Sequence, residues 1–252
     1  MTTPTDVLAD PWRAPVFVGA GVVAASVVGF GALVDGVNEH GDLSAYDPGI
    51  TSSVASLRRP GWTVVAELAS LVGSEVSIGL LSLVALGWLW FVRRDRVQAL
   101  LFGVAMGAAA VLTVGVKFLV GRHRPPAAFV VGPVDNGFAF PSGHTLFSTV
   151  FLGMAVMLLV WPAVGRRGRI LSLIVAVLGS LAVGASRVYL GYHWTTDVLG
   201  SWVLGVAVLT LALAASTMLG RVALPAFVAG ETRRTTTTPG ITERADDASS
   251  PR

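Results

Sequence analysis

The sequence predicts an all-α membrane protein, a polytopic six-transmembrane helix bundle with a short interfacial helix between spans 1 and 2. Three observations predict this class. Hydrophobic residues make up 53% of the 252 residues and charged residues only 13%, about half the charged fraction of an ordinary soluble domain. The mean hydropathy is +0.71. Uncharged runs of about 20 residues, long enough to cross a bilayer as a helix, recur along the chain.

The charge balance and the absence of cysteine exclude several function classes. Lys and Arg number 18 against 15 Asp and Glu, a net charge of +3, which is too small on so apolar a chain for a nucleic-acid binder. With no cysteine in the sequence, disulfides, thiolate metal sites and cysteine nucleophiles are excluded. The composition also excludes a soluble globular domain.

Six uncharged stretches mark the predicted spans. They cover residues 14–34, 76–92, 97–116, 145–164, 170–186 and 198–220. Clusters of three arginines separate the second span from the third and the fourth from the fifth. The first stretch is longer than the roughly 7–15 apolar residues of a signal-peptide core, and no small-residue cleavage site stands out. We therefore expect the first span to be a retained helix.

The short loops between the spans differ in their content of basic residues, which orients a membrane protein. One side carries Arg13, Arg93, Arg94, Arg96, Arg166, Arg167, Arg169 and Arg221. The opposite side carries Arg58, Arg59 and Arg122, together with Lys117, Arg124 and Arg187, which we assign below to a site and not to topology. The positive-inside rule predicts cytoplasmic termini in a multi-pass protein of the inner (plasma) membrane.

The segment between spans 1 and 2 is longer than the other loops. Within residues 35–74, Ile50, Val54 and Leu57 recur at helical spacing, which predicts a short interfacial helix or cap. From Glu231 the composition turns to Thr, Ser, Pro, Asp and Arg, which predicts a disordered tail. The chain is thus expected to divide into a cytoplasmic N-terminus, a six-span domain and a cytoplasmic tail, over residues 1–13, 14–220 and 221–252.

The first group of unusual polar residues lies at the end of span 3. Lys117, the only lysine of the chain, precedes Arg124 by seven residues, and Pro125 follows. Seven residues are about two helical turns, so both cations would lie near one face if the helix persists. The alternative is a basic flank that anchors the helix to lipid headgroups.

The second group is Pro141-Ser142-Gly143-His144, directly before span 4. A Pro and a Ser before an apolar run mark a helix start, and the consecutive amides of Ser142, Gly143 and His144 would point into a shared anion-binding concavity. The alternative is an ordinary capped helix with an interfacial histidine.

The third group crosses the break between spans 5 and 6. Ser186 and Arg187 are followed by His193 and Asp197. Because the last two are four residues apart, on a helix the carboxylate could accept from one imidazole nitrogen and leave the other unprotonated. The alternative is a structural pair at the membrane surface. The nearby aromatic residues Tyr189, Tyr192 and Trp194 fit an interfacial aromatic belt.

Alternation of the six spans brings all three groups to one outer face. Three cations, one amide-rich turn and two histidines at one place suit a phosphoryl group. The cations would offset its charge, one histidine would attack phosphorus, and the other would protonate the departing oxygen.

These residues resemble the active-site pattern of the type-2 phosphatidic acid phosphatase superfamily, membrane lipid phosphatases that share the pattern with vanadium-dependent haloperoxidases. The family pattern is Lys, six residues and Arg-Pro; then Pro-Ser-Gly-His; then Ser-Arg, five residues, His, three residues and Asp. Here the three blocks are Lys117 to Pro125, residues 141–144, and Ser186 to Asp197. All eleven specified residues match, within 117–197. The six-span pattern extends the resemblance over most of the chain.

The resemblance implies a metal-independent lipid phosphatase without a cofactor. It implies that His193 is the nucleophile that forms a phosphohistidine, that Asp197 orients it, and that His144 protonates the leaving group and later activates water. The residues implied to bind the phosphoryl oxygens are Lys117, Arg124, Ser142, Gly143 and Arg187. The remaining histidines, His40 and His123, lack an obvious ligand cluster.

The expected partners are a membrane lipid phosphate and the bilayer, since a site at the interface keeps lipid tails among the helices while the phosphate reaches water. The resemblance allows undecaprenyl or another polyprenyl diphosphate, phosphatidylglycerophosphate and phosphatidic acid. The Arg-, Ala-, Val- and Gly-rich composition is compatible with a high-GC bacterium, which slightly favours a polyprenyl carrier. The alternatives are a non-catalytic lipid-phosphate binder and a lipid transporter or flippase. A transporter would account for the cations but for neither the His193–Asp197 pair nor His144.

Overall fold

A computed structural model describes residues 13–39 and 41–220. Those residues form helices and connecting turns without β-strands. Six helices are long and apolar enough to cross a membrane: Val16–Glu39, Glu75–Val92, Arg96–Val120, Gly143–Ala163, Arg166–Tyr189 and Thr195–Met218. The predicted all-α, six-span architecture is confirmed. The predicted disordered tail lies outside the described residues.

Eight α-helices make up the described chain. They are α1 (Arg13–Glu39), α2 (Asp47–Ser56), α3 (Pro60–Val72), α4 (Glu75–Gly87), α5 (Arg96–Val120), α6 (Gly143–Ala155), α7 (Arg166–Tyr189) and α8 (Thr195–Met218). Helices α4 and α6 continue as π-helical turns over Trp88–Val92 and Val156–Val160. Short 3₁₀ turns cover Asp42–Tyr46, Ala127–Phe129 and Trp161–Ala163.

Local sequence explains where several helices begin. The Ser74 hydroxyl accepts a hydrogen bond from the Ser77 amide at 3.1 Å, and the Asp95 carboxylate accepts one from the Gln98 amide at 3.1 Å. Both side chains satisfy an amide that has no acceptor within the helix. Helices α2 and α3 each begin with a proline in the first turn, where its missing N–H costs nothing.

Helix α6 lies at the centre of the bundle and packs against α5, α7 and α8. It is the most buried of the six spans, and α1 is the least buried. Its Leu146, Val150 and Met154 are fully buried, as is Phe102 of α5. Because α6 begins with the Pro-Ser-Gly-His turn, that turn is held at the end of the best-packed helix.

A polar contact joins α6, α7 and α8 within the spans. The hydroxyls of Thr149 and Ser180 lie 2.7 Å apart, and the Trp202 indole N–H donates to Ser180 Oγ at 3.0 Å. Between membrane helices such hydrogen bonds add to van der Waals packing. The bond network fixes the mutual register of the three helices that carry most of the candidate site.

The outer faces of the spans are apolar. Large aliphatic side chains such as Val104 and Val111 of α5 and Leu171 and Val175 of α7 are more than half exposed. In water this much exposed apolar surface would cause aggregation. In a bilayer it is the surface that faces lipid tails.

The segment between spans 1 and 2 differs from the prediction. We expected one short interfacial helix, and the structure has two, α2 and α3, after the 3₁₀ turn Asp42–Tyr46. Ile50 and Val54 lie in α2, whereas Leu57 follows its end and is exposed. The apolar run of α3 is too short to span a bilayer, so a search for spans does not detect it.

Arg58 fastens this outer segment to the bundle. Its Nε donates to the Tyr189 carbonyl at 2.7 Å and its Nη2 to the Phe129 carbonyl at 2.8 Å. Burial lowers the pKa of Arg58 from its usual value, and the nearby Tyr189 opposes that shift. The sequence indicated only a topology signal for Arg58, and the structure shows that it also ties the junction of α2 and α3 to the end of α7 and to the loop between α5 and α6.

Candidate active site

His193 and Asp197 form a buried hydrogen-bonded pair. His193 Nδ1 lies 3.2 Å from Asp197 Oδ2, and the two residues are 1% and 0% exposed. Only Asp197 lies on α8, since His193 belongs to the turn before that helix. The pair therefore straddles a helix start and does not lie along one helical face as the spacing predicted. A carboxylate that accepts from Nδ1–H leaves the lone pair on Nε2.

The start of α8 sets the position of the Asp197 carboxylate. Asp197 Oδ2 accepts the Trp194 amide N–H at 2.9 Å, as an acidic residue at the third helical position does in a capping box. The Trp194 indole donates to the His123 carbonyl at 2.9 Å. The carboxylate that orients His193 is thus the same group that begins α8.

Burial holds the pKa of His193 well below its usual range, and the nearby cations Arg187, Arg124 and Lys117 lower it further. A desolvated imidazole among cations favours its uncharged form. His193 is therefore neutral at physiological pH, which is the form a nucleophile needs.

Two guanidinium groups converge in front of His193. Arg124 Nη1 lies 3.4 Å from His193 Nε2 and donates to the Tyr192 carbonyl at 2.9 Å. Arg187 is 3% exposed, and its guanidinium carbon lies 4.1 Å from the centre of the Tyr192 ring. Stacking on an aromatic face holds a guanidinium in a fixed plane.

A carboxylate lies between these two guanidiniums. Asp135 Oδ2 accepts from Arg187 Nη2 at 2.8 Å and lies 3.4 Å from Arg124 Nη1. The Asp135 side chain is 41% exposed, in contrast to 4% for Arg187. The place where the arginines converge therefore accepts an anionic oxygen and opens toward solvent.

Lys117 and His144 complete the cluster. His144 lies close enough to interact electrostatically with Arg187, His193, Lys117 and Arg124. Helix α5 ends at Val120, so Arg124 is carried by the following loop and not by a continued helix. The loop nevertheless brings Lys117 and Arg124 into the same cluster, as the sequence predicted.

The Pro-Ser-Gly-His turn differs in part from the predicted cradle of three amides. The Ser142 amide donates to the Asp197 carbonyl at 3.3 Å, and its hydroxyl accepts from Thr145 at 3.1 Å. Ser142 is completely buried. The amides of Gly143 and His144 belong to the first turn of α6, where an amide has no acceptor within the helix. The predicted anion-binding role thus rests on these two amides, whereas the Ser142 amide holds the turn against α8.

Gly143 lies in close contact with a carboxylate from α4. A Cβ atom built at this position would overlap the Glu75 carboxylate and lie 3.3 Å from Thr113 Cγ2. Glu75 also lies near enough to Lys117 to interact with it electrostatically. The start of α4 therefore contributes a carboxylate beside the site that sequence analysis did not single out.

Several further residues at the site escaped sequence analysis. Asp135 and Ser70 both bind the Arg187 guanidinium, Ser70 Oγ at 2.7 Å from Nη1. Tyr192, which was assigned only to an aromatic belt, stacks on Arg187 and donates through its hydroxyl to the Val131 carbonyl at 2.8 Å. Asp135 is a single polar residue in a loop and Ser70 a single polar residue on the short helix α3, and neither belongs to a motif. Tyr192, by contrast, could have been noticed because it directly precedes His193. Among the described residues no group of three or more His, Cys, Asp or Glu side chains is arranged to hold a metal ion.

Comparison with known proteins places the chain in a family. The model of the PAP2 superfamily matches residues 98–221. Phosphatidylglycerophosphatase B of Bacillus subtilis strain 168 is 30% identical over 168 residues, 65% of this chain and 80% of that protein. The chain belongs to the PAP2 superfamily.

Other PAP2-related proteins agree with this assignment. Decaprenylphosphoryl-5-phosphoribose phosphatase of Mycobacterium tuberculosis H37Rv is 35% identical over 156 residues, 61% of this chain and 80% of that protein. The crystal structure of a transmembrane PAP2-type phosphatidylglycerolphosphate phosphatase from Bacillus subtilis superposes with a TM-score of 0.70 and 25% identity, over 80% of this chain and 98% of that one. The predictions of a PAP2 member, a multi-pass membrane protein and a lipid phosphatase are confirmed.

Proposed function

We propose that this protein removes a phosphate group from a membrane lipid through a phosphohistidine on His193. The observation that carries the proposal is the 3.4 Å distance between Arg124 Nη1 and His193 Nε2, combined with the contact of Nδ1 to Asp197. The attacking nitrogen is thus unprotonated and faces a guanidinium that can hold a phosphoryl oxygen.

In the first step His193 Nε2 attacks phosphorus and the bond from phosphorus to the lipid oxygen breaks. His144 gives its proton to the departing oxygen, which leaves as a lipid alcohol or a lipid phosphate. The cations Lys117, Arg124 and Arg187 offset the charge on the phosphoryl oxygens, with help from the amides of Gly143 and His144.

In the second step water attacks the phosphohistidine. His144, now neutral, takes a proton from that water, and the bond from phosphorus to Nε2 breaks to release inorganic phosphate. Throughout both steps Asp197 holds the Nδ1–H side of the imidazole. No step in this scheme uses a metal ion or a cofactor.

The substrate we propose is a lipid phosphate or diphosphate, with polyprenyl diphosphate, phosphatidylglycerophosphate and phosphatidic acid as the candidates. Support comes from the location of the cluster at one end of an apolar bundle, which suits a phosphate at the interface with its tails in the bilayer. The names of the relatives support a lipid substrate too, since one acts on a decaprenylphosphoryl compound and another is a phosphatidylglycerophosphatase.

We also propose the orientation and the division of the chain. The arginine distribution supports cytoplasmic termini and a site on the extracytoplasmic face of the plasma membrane. The six-span phosphatase domain would cover residues 14–220, between a short N-terminus over 1–13 and a cytoplasmic tail over 221–252.

The experiment measures phosphate release by purified protein in detergent with EDTA present. Undecaprenyl diphosphate, phosphatidylglycerophosphate and phosphatidic acid are offered in parallel. We expect release from at least one lipid, its loss in His193→Ala, and its retention in His123→Ala, a matched control because His123 is exposed on the same face. An alkaline quench with ³²P-labelled lipid should trap labelled wild-type protein and no labelled His193→Ala.

Two outcomes would contradict the proposal. Wild-type protein that binds these lipids but releases no phosphate would favour the non-catalytic binder or the transporter. Release that EDTA abolishes and a divalent metal restores would contradict the metal-independent mechanism.

A further inference from the structure

We propose that Arg122 and Asp47 are positioning residues that hold the Asp197–His193 pair in its reactive arrangement. The inference rests on the proposed role of His193 as nucleophile. Arg122 lies inside the Lys117–Arg124 block but is not one of its specified residues, and Asp47 lies on α2, outside all three motif blocks. Neither residue is expected to touch substrate.

Arg122 joins two buried carboxylates. Its Nη1 donates to Asp197 Oδ1 at 2.5 Å and its Nη2 donates to Asp47 Oδ2 at 2.7 Å. The side chains of Asp197 and Asp47 are 0% and 1% exposed, and that of Arg122 is 12% exposed. Both Nη atoms of Arg122 therefore bind carboxylates. Arg124 differs, because its Nη1 faces His193 Nε2.

The Asp197 carboxylate needs a partner on each oxygen to keep one orientation. Oδ2 accepts the Trp194 amide and faces His193 Nδ1, while Arg122 binds Oδ1. Without Arg122, a completely buried carboxylate would lose its only salt bridge to a permanently charged group among the described contacts, since His193 is neutral. Such a charge is strongly unfavourable. Either rotation or protonation of Asp197 would then remove the acceptor that keeps the lone pair on His193 Nε2.

Asp47 binds both Arg122 and the first turn of α8. Its Oδ1 accepts the Thr196 amide at 3.1 Å, and its Oδ2 accepts from the Thr196 hydroxyl. Arg122 Nη1 also donates to that hydroxyl, at 2.7 Å. Asp47 thus binds the first turn of α8 directly and fixes the guanidinium that reaches Asp197. Through these contacts the short outer helix α2 becomes part of the support of the catalytic pair.

In an Arg122→Ala variant, the space left by the guanidinium would be open to a small cation from solvent. A cavity of about 590 Å³ is lined by Arg122, Asp47 and Trp194, among other residues. The guanidinium also lies over the Trp194 ring, at 5.6 Å from its centre. Free guanidinium could therefore enter the space that truncation of Arg122 leaves and rebuild the contact with both carboxylates.

The experiment compares Arg122→Ala with Arg124→Ala and with the exposed control Arg59→Ala in purified protein. We expect Arg122→Ala to lower kcat by about 10- to 100-fold with little change in KM. This is the range seen for side chains that orient a functional group by hydrogen bonding without contacting the substrate. Millimolar guanidinium should restore part of the kcat of Arg122→Ala and none of that of His193→Ala. Arg124→Ala should raise KM as well as lower kcat, because its guanidinium faces the phosphoryl position and would bind the phosphoryl oxygens of the substrate directly. Arg59→Ala should behave as wild type with and without guanidinium.

Two further variants separate positioning from folding. Arg122→Lys, whose single ammonium cannot bind both carboxylates as a fork does, should retain an intermediate kcat. Asp47→Asn keeps the shape of the side chain but removes the charge that pairs with Arg122. We therefore expect a folded protein with a lower melting temperature and a reduced kcat.

The inference is overturned if Arg122→Ala keeps the wild-type kcat, or if it raises KM as Arg124→Ala does. It is also overturned if a folded Arg122→Ala protein loses activity that neither guanidinium nor Arg122→Lys recovers. These results are distinct from failure of the proposed function, in which wild-type protein itself releases no phosphate and forms no phosphohistidine.

Discussion

His193 is a buried histidine that stays neutral beside three cations, and this has a consequence for stability. The folded protein holds the pKa of His193 well below 6.5 because of burial first and the neighbouring cations second. The unfolded chain takes up a proton near pH 6.5. As pH falls below that value, the unfolded chain therefore binds a proton that the folded protein does not, and stability is lost.

Because wild-type stability falls on acidification, the stability difference between wild type and His193→Gln should depend on pH. The difference in melting temperature, wild type minus variant, should decrease as pH is lowered from 8 to 5, because glutamine does not titrate. Differential scanning fluorimetry in detergent measures it. A difference that stays constant or grows on acidification would contradict a lowered pKa for His193.

His144 and His193 act on the same phosphoryl group in the proposed mechanism, so their contributions should not add. His193→Ala should reduce turnover to the background, and His144→Ala should reduce it by about 10²–10⁴-fold, the usual contribution of a general acid. The double variant should be little worse than the more damaged single variant. Steady-state phosphate release from one lipid substrate measures this, and multiplicative losses would argue against a joint role.

At the scale of elements, the turn between α7 and α8 determines where His193 lies. Gly191 in this turn has φ of +80°, and a Cβ atom there would overlap the Phe129 carbonyl oxygen. Gly191→Ala should therefore destabilise the protein by more than the roughly 1–2 kcal/mol cost of a left-handed residue. It should also displace His193 two positions later.

A glycine elsewhere supplies the control for this prediction. Gly79 lies within α4, and a Cβ atom there would meet nothing within 4 Å. Gly79→Ala should leave the melting temperature unchanged or raise it slightly, whereas Gly191→Ala should lower both melting temperature and phosphate release. Equal effects of the two substitutions would show that the turn is not the sensitive element.

The sequence predicted the spans well because each is a long apolar run with polar ends, a signal that depends on the bilayer and not on tertiary contacts. It missed α3 because Pro60–Val72 is too short for that signal. The predicted helical pairing of His193 with Asp197 was right in contact and wrong in its local structure, since α8 begins between the two residues.

Some residues of the candidate site were predictable from the sequence and others were not. The phosphate-binding and catalytic candidates were predictable because motif spacing and span alternation place them on one face. Asp135 and Arg122 were not predictable as members of the cluster, since each forms a side-chain hydrogen bond with a residue more than 50 positions away, Arg187 and Asp197 respectively. Contacts of that kind arise from the packing of loops over the bundle and leave no local pattern in the sequence.

At the scale of the whole molecule, the absence of cysteine makes the proposed orientation directly testable. The chain contains no cysteine, so single cysteines can be placed without removing others. Ala128 lies in the exposed loop on the side of the site, and Ala163 is exposed at the opposite end of the bundle. Neither substitution alters the charge of a loop.

We expect a membrane-impermeant maleimide to label Ala128→Cys in intact cells or spheroplasts and Ala163→Cys only after permeabilisation. Labelling in the reverse pattern would place the site on the cytoplasmic face.

Substitution of Arg166 by Gln should leave phosphate release close to that of wild type, since this residue lies at the opposite end of the bundle from His193.

The bond between Asp47 and the start of α8 has a consequence for how the protein is made. Thr196 follows Asp47 by 149 positions, so at about 5–20 residues per second the ribosome needs roughly 7–30 s to supply the partner of this carboxylate. Until α8 has been synthesised and inserted, α2 lacks that anchor and His193 lacks Asp197. If His193 and Asp197 act as proposed, we expect a nascent or truncated chain that ends before α8 to release no phosphate from lipids, and activity to arise only when the last span joins the bundle.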